Sequence, residues 1–214
     1  MSVWGALVAQ LGLKPDLRRV GPGTASVDFI GLVAGAWLSL AFDPTGRPRL
    51  TIARERALVV MAEEAWRMGP RAQVPGFAGG LRTGDDVFDD AVLVLAQGGH
   101  GPLALLDGRT RSRVARLVIG GGGCAPERVW LDPPALAAAQ DATQARALID
   151  QAIEVLAALA PPTRETLIDR ALSEEPAPVR AAARAGLEGR ITAEELLPRL
   201  PPEDSSAVVA QILA

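Results

Sequence analysis

The sequence predicts an α+β protein, a largely antiparallel sheet with packed helices followed by a small all-α tail, and three observations carry that expectation. Between Ala25 and Ala53, short runs of alternating apolar and polar residues are separated by Gly, Pro and Asp, the pattern of strands joined by hairpins. From Gly84 to Asp132, an acidic turn, an apolar run (Asp90–Ala96), an Arg-rich helical segment (Pro102–Ile119), a glycine loop and a second apolar run (Arg128–Leu131) alternate strand with helix. From Pro133 onward the chain becomes Ala-rich, with helical spacing interrupted by Pro and Gly. The expected organisation is a sheet domain over 1–160, ending in a long helix, and a helical tail over 161–214.

Taken in order, residues 3–12 place Trp4, Leu7, Val8 and Leu11 on one helical face, and Gly12 with Pro15 ends that helix. A meander follows: Ser26–Ile30, a turn at Ala34-Gly35, Ala36–Phe42, a turn at Asp43–Gly46, and Arg49–Ala53. Within Ala36–Phe42, Leu38, Leu40 and Phe42 share one face, and Trp37, Ser39 and Ala41 the other. Residues 57–62 read as strand and Met61–Met68 as a helical turn. Gly69–Thr83, rich in Gly and Pro, reads as a long irregular loop. In the Ala-rich part Ala145, Leu148, Ile149, Ala152, Leu156, Leu159 and Ala160 form one stripe of a long helix closed by Pro161-Pro162. Helices are then expected over 163–172, 176–187 and 193–199, the last behind the capping box Thr192-Ala-Glu-Glu195, with a final one beginning at Glu203. They should stack on the 140–160 helix and on one another. Val179 points into that stack, and Arg180 is turned away toward an acidic partner such as Asp169 or Glu174.

Composition bounds the function. The 214 residues are 49% hydrophobic and 22% charged, as in a folded globular protein. A net charge of −3 offers no global field for nucleic acid or an anionic membrane. Cationic charge is nearly all arginine, with Lys14 the one lysine, which suits a GC-rich genome. The single cysteine, Cys124, excludes an internal disulfide and a multi-thiolate zinc site, and no segment reads as a signal peptide or spanning helix, so a cytoplasmic protein is expected.

Four features invite a chemical reading. Asp85-Asp86-Val-Phe-Asp89 matches the pattern with which prenyl-diphosphate enzymes hold magnesium, but that chemistry needs the carboxylates on a helix face opposite a second acidic motif, and none exists. The motif therefore reads as a solvated turn guarding the next strand. His100 and Cys124, each unique, could form a dyad only if the glycine loop brought them together, and no third orienting group can be named. Gly120–Gly123 is preceded by helix and followed by strand, the reverse of a phosphate loop, and reads as a flexible connector. Arg109, Arg113 and Arg116 share a helix face suited to an acidic partner, without the interleaved aromatics of a single-strand binder.

Leu167–Leu187, with an acidic and Pro-containing turn leading to Val179-Arg180, then Ala183, Gly186 and Leu187, resembles one unit of a HEAT-type helical repeat, with Thr192–Leu213 as a degenerate second. The resemblance implies a stacking or partner-binding surface. The order Leu11-Gly-Leu13, hairpins, Gly84-Asp-x-x-Phe88-Asp89, strand, Ala104–Asp107, then Val114 and Leu117 is faintly similar to uncharacterised domains of GC-rich bacteria. The leading expectation is a non-enzymatic interaction or adaptor protein with a protein partner, no cofactor, metal or catalytic residue, and Arg109, Arg113, Arg116 and Arg180 as partner-binding residues. The alternative is a small-molecule-binding domain or weak enzyme with a pocket near the 69–83 loop and the sheet face. A pocket walled by Trp37 or Trp66 would favour the alternative, and an exposed apolar groove on the tail the adaptor.

Overall fold

A row of fully buried side chains crosses the middle of the sheet. Leu38, Ile52, Val129, Cys124, Met68 and Val94 are paired strand to strand and none has measurable exposure. Each such side chain contributes roughly 1.5–3 kcal/mol on leaving water, so the register of six strands is fixed by one line of contacts. The computed structural model describes residues 3–16, 28–43, 45–56, 65–71, 80–97, 101–188, 191–192, 195 and 197–199. Its strands are β1 (Lys14–Pro15), β2 (Phe29–Val33), β3 (Ala36–Phe42), β4 (Pro48–Ala53), β5 (Trp66–Pro70), β6 (Val92–Ala96), β7 (Gly122–Ala125) and β8 (Arg128–Leu131). They form one sheet in the order β1-β2-β3-β4-β8-β7-β5-β6, every pairing antiparallel. The fold class is α+β, as the alternation predicts.

One face of the sheet carries α1 (Val3–Leu11), α3 (Gly108–Ile119) and the long α5 (Ala142–Ala158); α5 touches both other helices, and all three touch strands. Ala145, Ile149, Ala152, Val155 and Leu156 form the buried side of α5. The opposite face presents Trp37, Thr51, Arg67 and Trp130, the alternate positions of their strands. The β2–β3 hairpin turns through Ala34 and Gly35, both left-handed (φ 48° and 81°), which matches the twist of its strands at some strain for the alanine.

Three expectations are corrected. Residues 86–91 form a helix, α2 (Asp86–Ala91), where the apolar run suggested strand from Asp90; Asp85 caps it through the Phe88 amide, and the strand starts only at Val92. Trp66–Met68 lie in β5 between β6 and β7, not in a helical turn: Trp66 and Met68 are buried and Arg67 exposed, an alternation that two pairing partners impose over a helix-compatible composition. The glycines are no flexible connector, because Gly122 and Gly123 are strand residues of β7. A Cβ on Gly123 would lie 2.4 Å from the Trp130 ring and 2.9 Å from the Met68 carbonyl oxygen, so only hydrogen fits.

After a short α4 (Pro133–Ala137) and α5, the tail forms α6 (Arg164–Leu172), capped by Thr163, and α7 (Ala177–Ala185), opened by Pro176. Val179 is fully buried, as its spacing predicts. α7 packs chiefly on α6 and on the 3-10 turn Gly101–Leu105, in place of the stacking on α5 that the sequence suggests. The Thr192 amide donates to the Glu195 carboxylate at 3.0 Å, half of the expected capping box. Residues 57–64, most of the 69–83 loop, His100 and the helix expected from Glu203 lie outside the described residues.

Candidate functional site

Where the tail meets the sheet domain, ionic side chains converge beside an apolar groove. Arg111 of α3 is the centre. Its position, three residues before Val114 and seven before Val118, places it on the buried side of the helix, and it is 8% exposed. Its Nε donates to Asp85 Oδ2 at 2.9 Å, and Nη1 to Glu175 Oε2 and to the Leu106 carbonyl, both at 2.7 Å. Burial alone would lower its pKa, but Glu175 and Asp85 raise it above the ordinary value, so it stays charged. Glu175 also accepts the Gly108 amide at 2.8 Å, which ties the α6–α7 turn to the first turn of α3. Beside it Arg170 of α6 pairs with Asp107 at 2.7 Å and donates to the Ala104 carbonyl. Burial pushes the Asp85 and Asp107 carboxyls up; the Phe88 amide and Arg111 for the first, Thr110 and Arg170 for the second, overcome it and hold both below the usual carboxylate range.

The same geometry answers the magnesium pattern. Asp85 is committed to Phe88 and Arg111, and Asp86 is 93% exposed. Asp89 is buried and accepts from the Thr83 amide and hydroxyl, both at 2.9 Å, and from the Gly84 amide at 3.0 Å. The motif is thus a folded helix start, not a solvated turn: Asp85 faces Arg111, whereas Asp86 and Asp89 lie 3.8 Å and 3.5 Å from the Arg82 guanidinium. No cluster of three potential metal ligands occurs among the described residues. Cys124 is fully buried in the central row, and burial pushes its thiol up to about 12, the state of an inert hydrophobe.

Of the arginines expected to meet a partner, Arg109 and Arg116 are exposed on α3, and Arg113 sits 3.6 Å from Glu154 of α5. Arg180 lies on α7 and donates to the Glu175 carbonyl at 2.8 Å, not to Asp169 or Glu174. Arg111, the arginine left off the α3 face, is the one the structure uses most heavily. Its signal was its phase on the helix, in step with Val114 and Val118.

Two concavities concern the functional alternatives. The groove, about 790 Å³, runs between the 3-10 turn, Pro161-Pro162, α6 and α7, and is lined by Ala104, Leu167, Pro178, Ala181, Ala185 and Gly186 among others. A hollow of about 460 Å³ at the β5–β6 margin has Trp66, Arg67 and Gln97 in its wall. No described helix is long and apolar enough to cross a membrane. Comparison with protein-family models, with curated proteins and with solved structures found no match.

Proposed function

We propose that this chain is a protein-interaction module whose docking surface is the apolar groove of the tail, and that its occupant is an amphipathic helix of a protein partner carrying acidic residues beside its apolar face. The observation that carries the reading is the lining itself. Ala181 and Ala185 are exposed small residues on the open side of α7, and with Gly186 they let a second backbone approach closely, while Leu167 and the prolines supply apolar contact. Arg180 and Arg184 stand one turn apart on the neighbouring strip of α7 and repel each other, Arg180 adding to the burial that lowers Arg184. An acidic residue on the partner would relieve that repulsion. The HEAT-like character of α6 and α7 supports the same reading, since paired helices with an open side are how such repeats present a surface.

A photocrosslinking residue placed at Ala181 in the native host should trap one protein reproducibly. The isolated partner should then bind the purified chain, and Ala181→Glu should weaken it at least about tenfold, or about 1.4 kcal/mol, with the melting temperature unchanged. Binding indifferent to Ala181→Glu would remove the groove as the docking site.

A further inference from the structure

The junction of tail and sheet also bears on the covalent integrity of the chain. Asp107-Gly108 is the one Asp-Gly pair in the sequence, and such pairs cyclise readily because glycine has no side chain to shield its amide nitrogen. In that reaction the Gly108 nitrogen attacks the protonated side-chain carboxyl of Asp107, the amide proton and the carboxyl hydroxyl leave as water, and a five-membered imide closes. Water then reopens the ring at either carbonyl, which regenerates aspartate or leaves isoaspartate, with the main chain running through the β-carbon. No oxidant or other reagent is consumed, so the surroundings of the two reacting groups set the rate. Bulk does not protect them. The Asp107 side chain is 34% exposed, and a Cβ on Gly108 would meet only the ends of the Arg111 and Glu175 side chains, at 3.6 Å and 3.7 Å.

Each reacting group is held instead by a different side chain of the tail. The Asp107 carboxylate accepts from the Thr110 amide at 2.7 Å, its local helix cap, and from Arg170 of α6, also at 2.7 Å. The Gly108 amide donates to Glu175, in the α6–α7 turn, at 2.8 Å. A carboxylate anion is a poor electrophile, since its oxygen leaves only after protonation. Burial pushes the Asp107 carboxyl up, but Thr110 and Arg170 overcome it and keep the anion. Glu175 could draw the proton from the Gly108 nitrogen, yet its charge is taken up by Arg111 at 2.7 Å. Ring closure also requires the nitrogen and the side-chain carbon to turn toward each other about the Asp107 backbone, which is extended at φ −63° and ψ 165°. The bonds to Arg170 and Glu175 oppose that turn from both ends. With the tail displaced, the Thr110 cap alone remains.

We propose that Asp107-Gly108 is a latent isomerisation site that the docked tail keeps closed, so that isoaspartate at 107 forms on molecules whose α6–α7 unit has opened. Full-length wild type, Arg170→Met and Glu175→Ala are aged at neutral pH, with isoaspartate counted by enzymatic carboxyl methylation and placed at residue 107 by peptide mass spectrometry. Both variants, folded by circular dichroism, should isomerise at least about tenfold faster than wild type, as local opening becomes easier. Gly123→Ala, which weakens the sheet without touching the junction, should stay near the wild-type rate. Hydrogen exchange of the wild type gives a second measure. Isomerisation should be slowed, relative to the chain unfolded in urea, by the factor that slows exchange of the α7 amides, and not by the larger factor of the central strands β7 and β8. A wild-type rate equal to that of the unfolded chain, folded variants no faster than wild type, or a suppression that matches the central strands would each overturn the proposal. If neither variant folds, the wild-type comparison decides by itself.

Discussion

Removing the Arg111 side chain takes away one cation but strands two carboxylates and the Leu106 carbonyl, because Asp85 and Glu175 both spend their charge on it. The acids keep 32% and 18% exposure, so water can partly rehydrate them, and Arg111→Ala should cost about 2–4 kcal/mol in urea denaturation. Arg116→Ala, on the exposed side of the same helix, should cost less than about 0.5 kcal/mol. Equal effects would mean that the ionic junction is not structural. The pH dependence has a definite sign. Asp85 and Asp107 are held below the usual carboxylate range, so the unfolded chain binds protons that the folded one does not. Their contribution is complete above the ordinary carboxylate pKa and is lost as pH falls through their lower folded values. The acid limb of a stability curve should therefore be shallower in Arg111→Ala, where Asp85 has lost its guanidinium. An unchanged limb would show that Arg111 does not set the Asp85 titration.

At the scale of elements, β7 shows how steric limits replace flexibility. Gly123→Ala would drive a methyl into the Trp130 ring and the Met68 carbonyl, neither of which is the free end of a flexible side chain, and should cost about 2–4 kcal/mol. Gly69→Ala, across the seam, meets open space and should stay within about 0.5 kcal/mol of wild type. Thermal melts of the two variants check the contrast, and similar melting temperatures would contradict the packing described. The elements differ in how far they could be read in the sequence. Ala36–Phe42 was legible because alternation and a Gly turn agree over neighbouring residues. Trp66–Met68 was not, because what makes it a strand is pairing to Ala96, Val94 and Cys124, far along the chain, against a local composition that suits helix. The Asp85–Asp89 pattern was legible as structural in purpose but not in form, since the helix start depends on Thr83 and Arg111 closing around it. Arg111 was readable from its phase on α3; the groove was not, as it is assembled from three separated segments.

For the molecule as a whole, the tail is joined to the rest by more than the chain. Glu175 and Arg170 complete the coordination of Arg111 and Asp107, and Leu103, Ala104 and Leu106 share one buried cluster with Leu167, Ala182 and Leu187. A chain ended at Ala160 should consequently lose at least about 3 kcal/mol, the order expected when a buried pair loses a partner and apolar surface is uncovered. Urea denaturation of the shortened chain, followed by the fluorescence of its tryptophans, measures this directly. A midpoint equal to that of the full chain would show that the two parts are energetically separate.

The strand order also dictates when the protein can be finished during synthesis. β2, β3 and β4 are consecutive hairpins and can pair as soon as they leave the ribosome. The free edge of β4, however, waits for β8, and β5 waits for β7, strands that emerge dozens of residues later. Closing such long loops is slow relative to hairpin formation. Throughout that interval Leu50 and Ile52 stand on an unpaired edge that another nascent chain can match, so translation speed and chain crowding, more than final stability, should govern how much of this protein escapes aggregation.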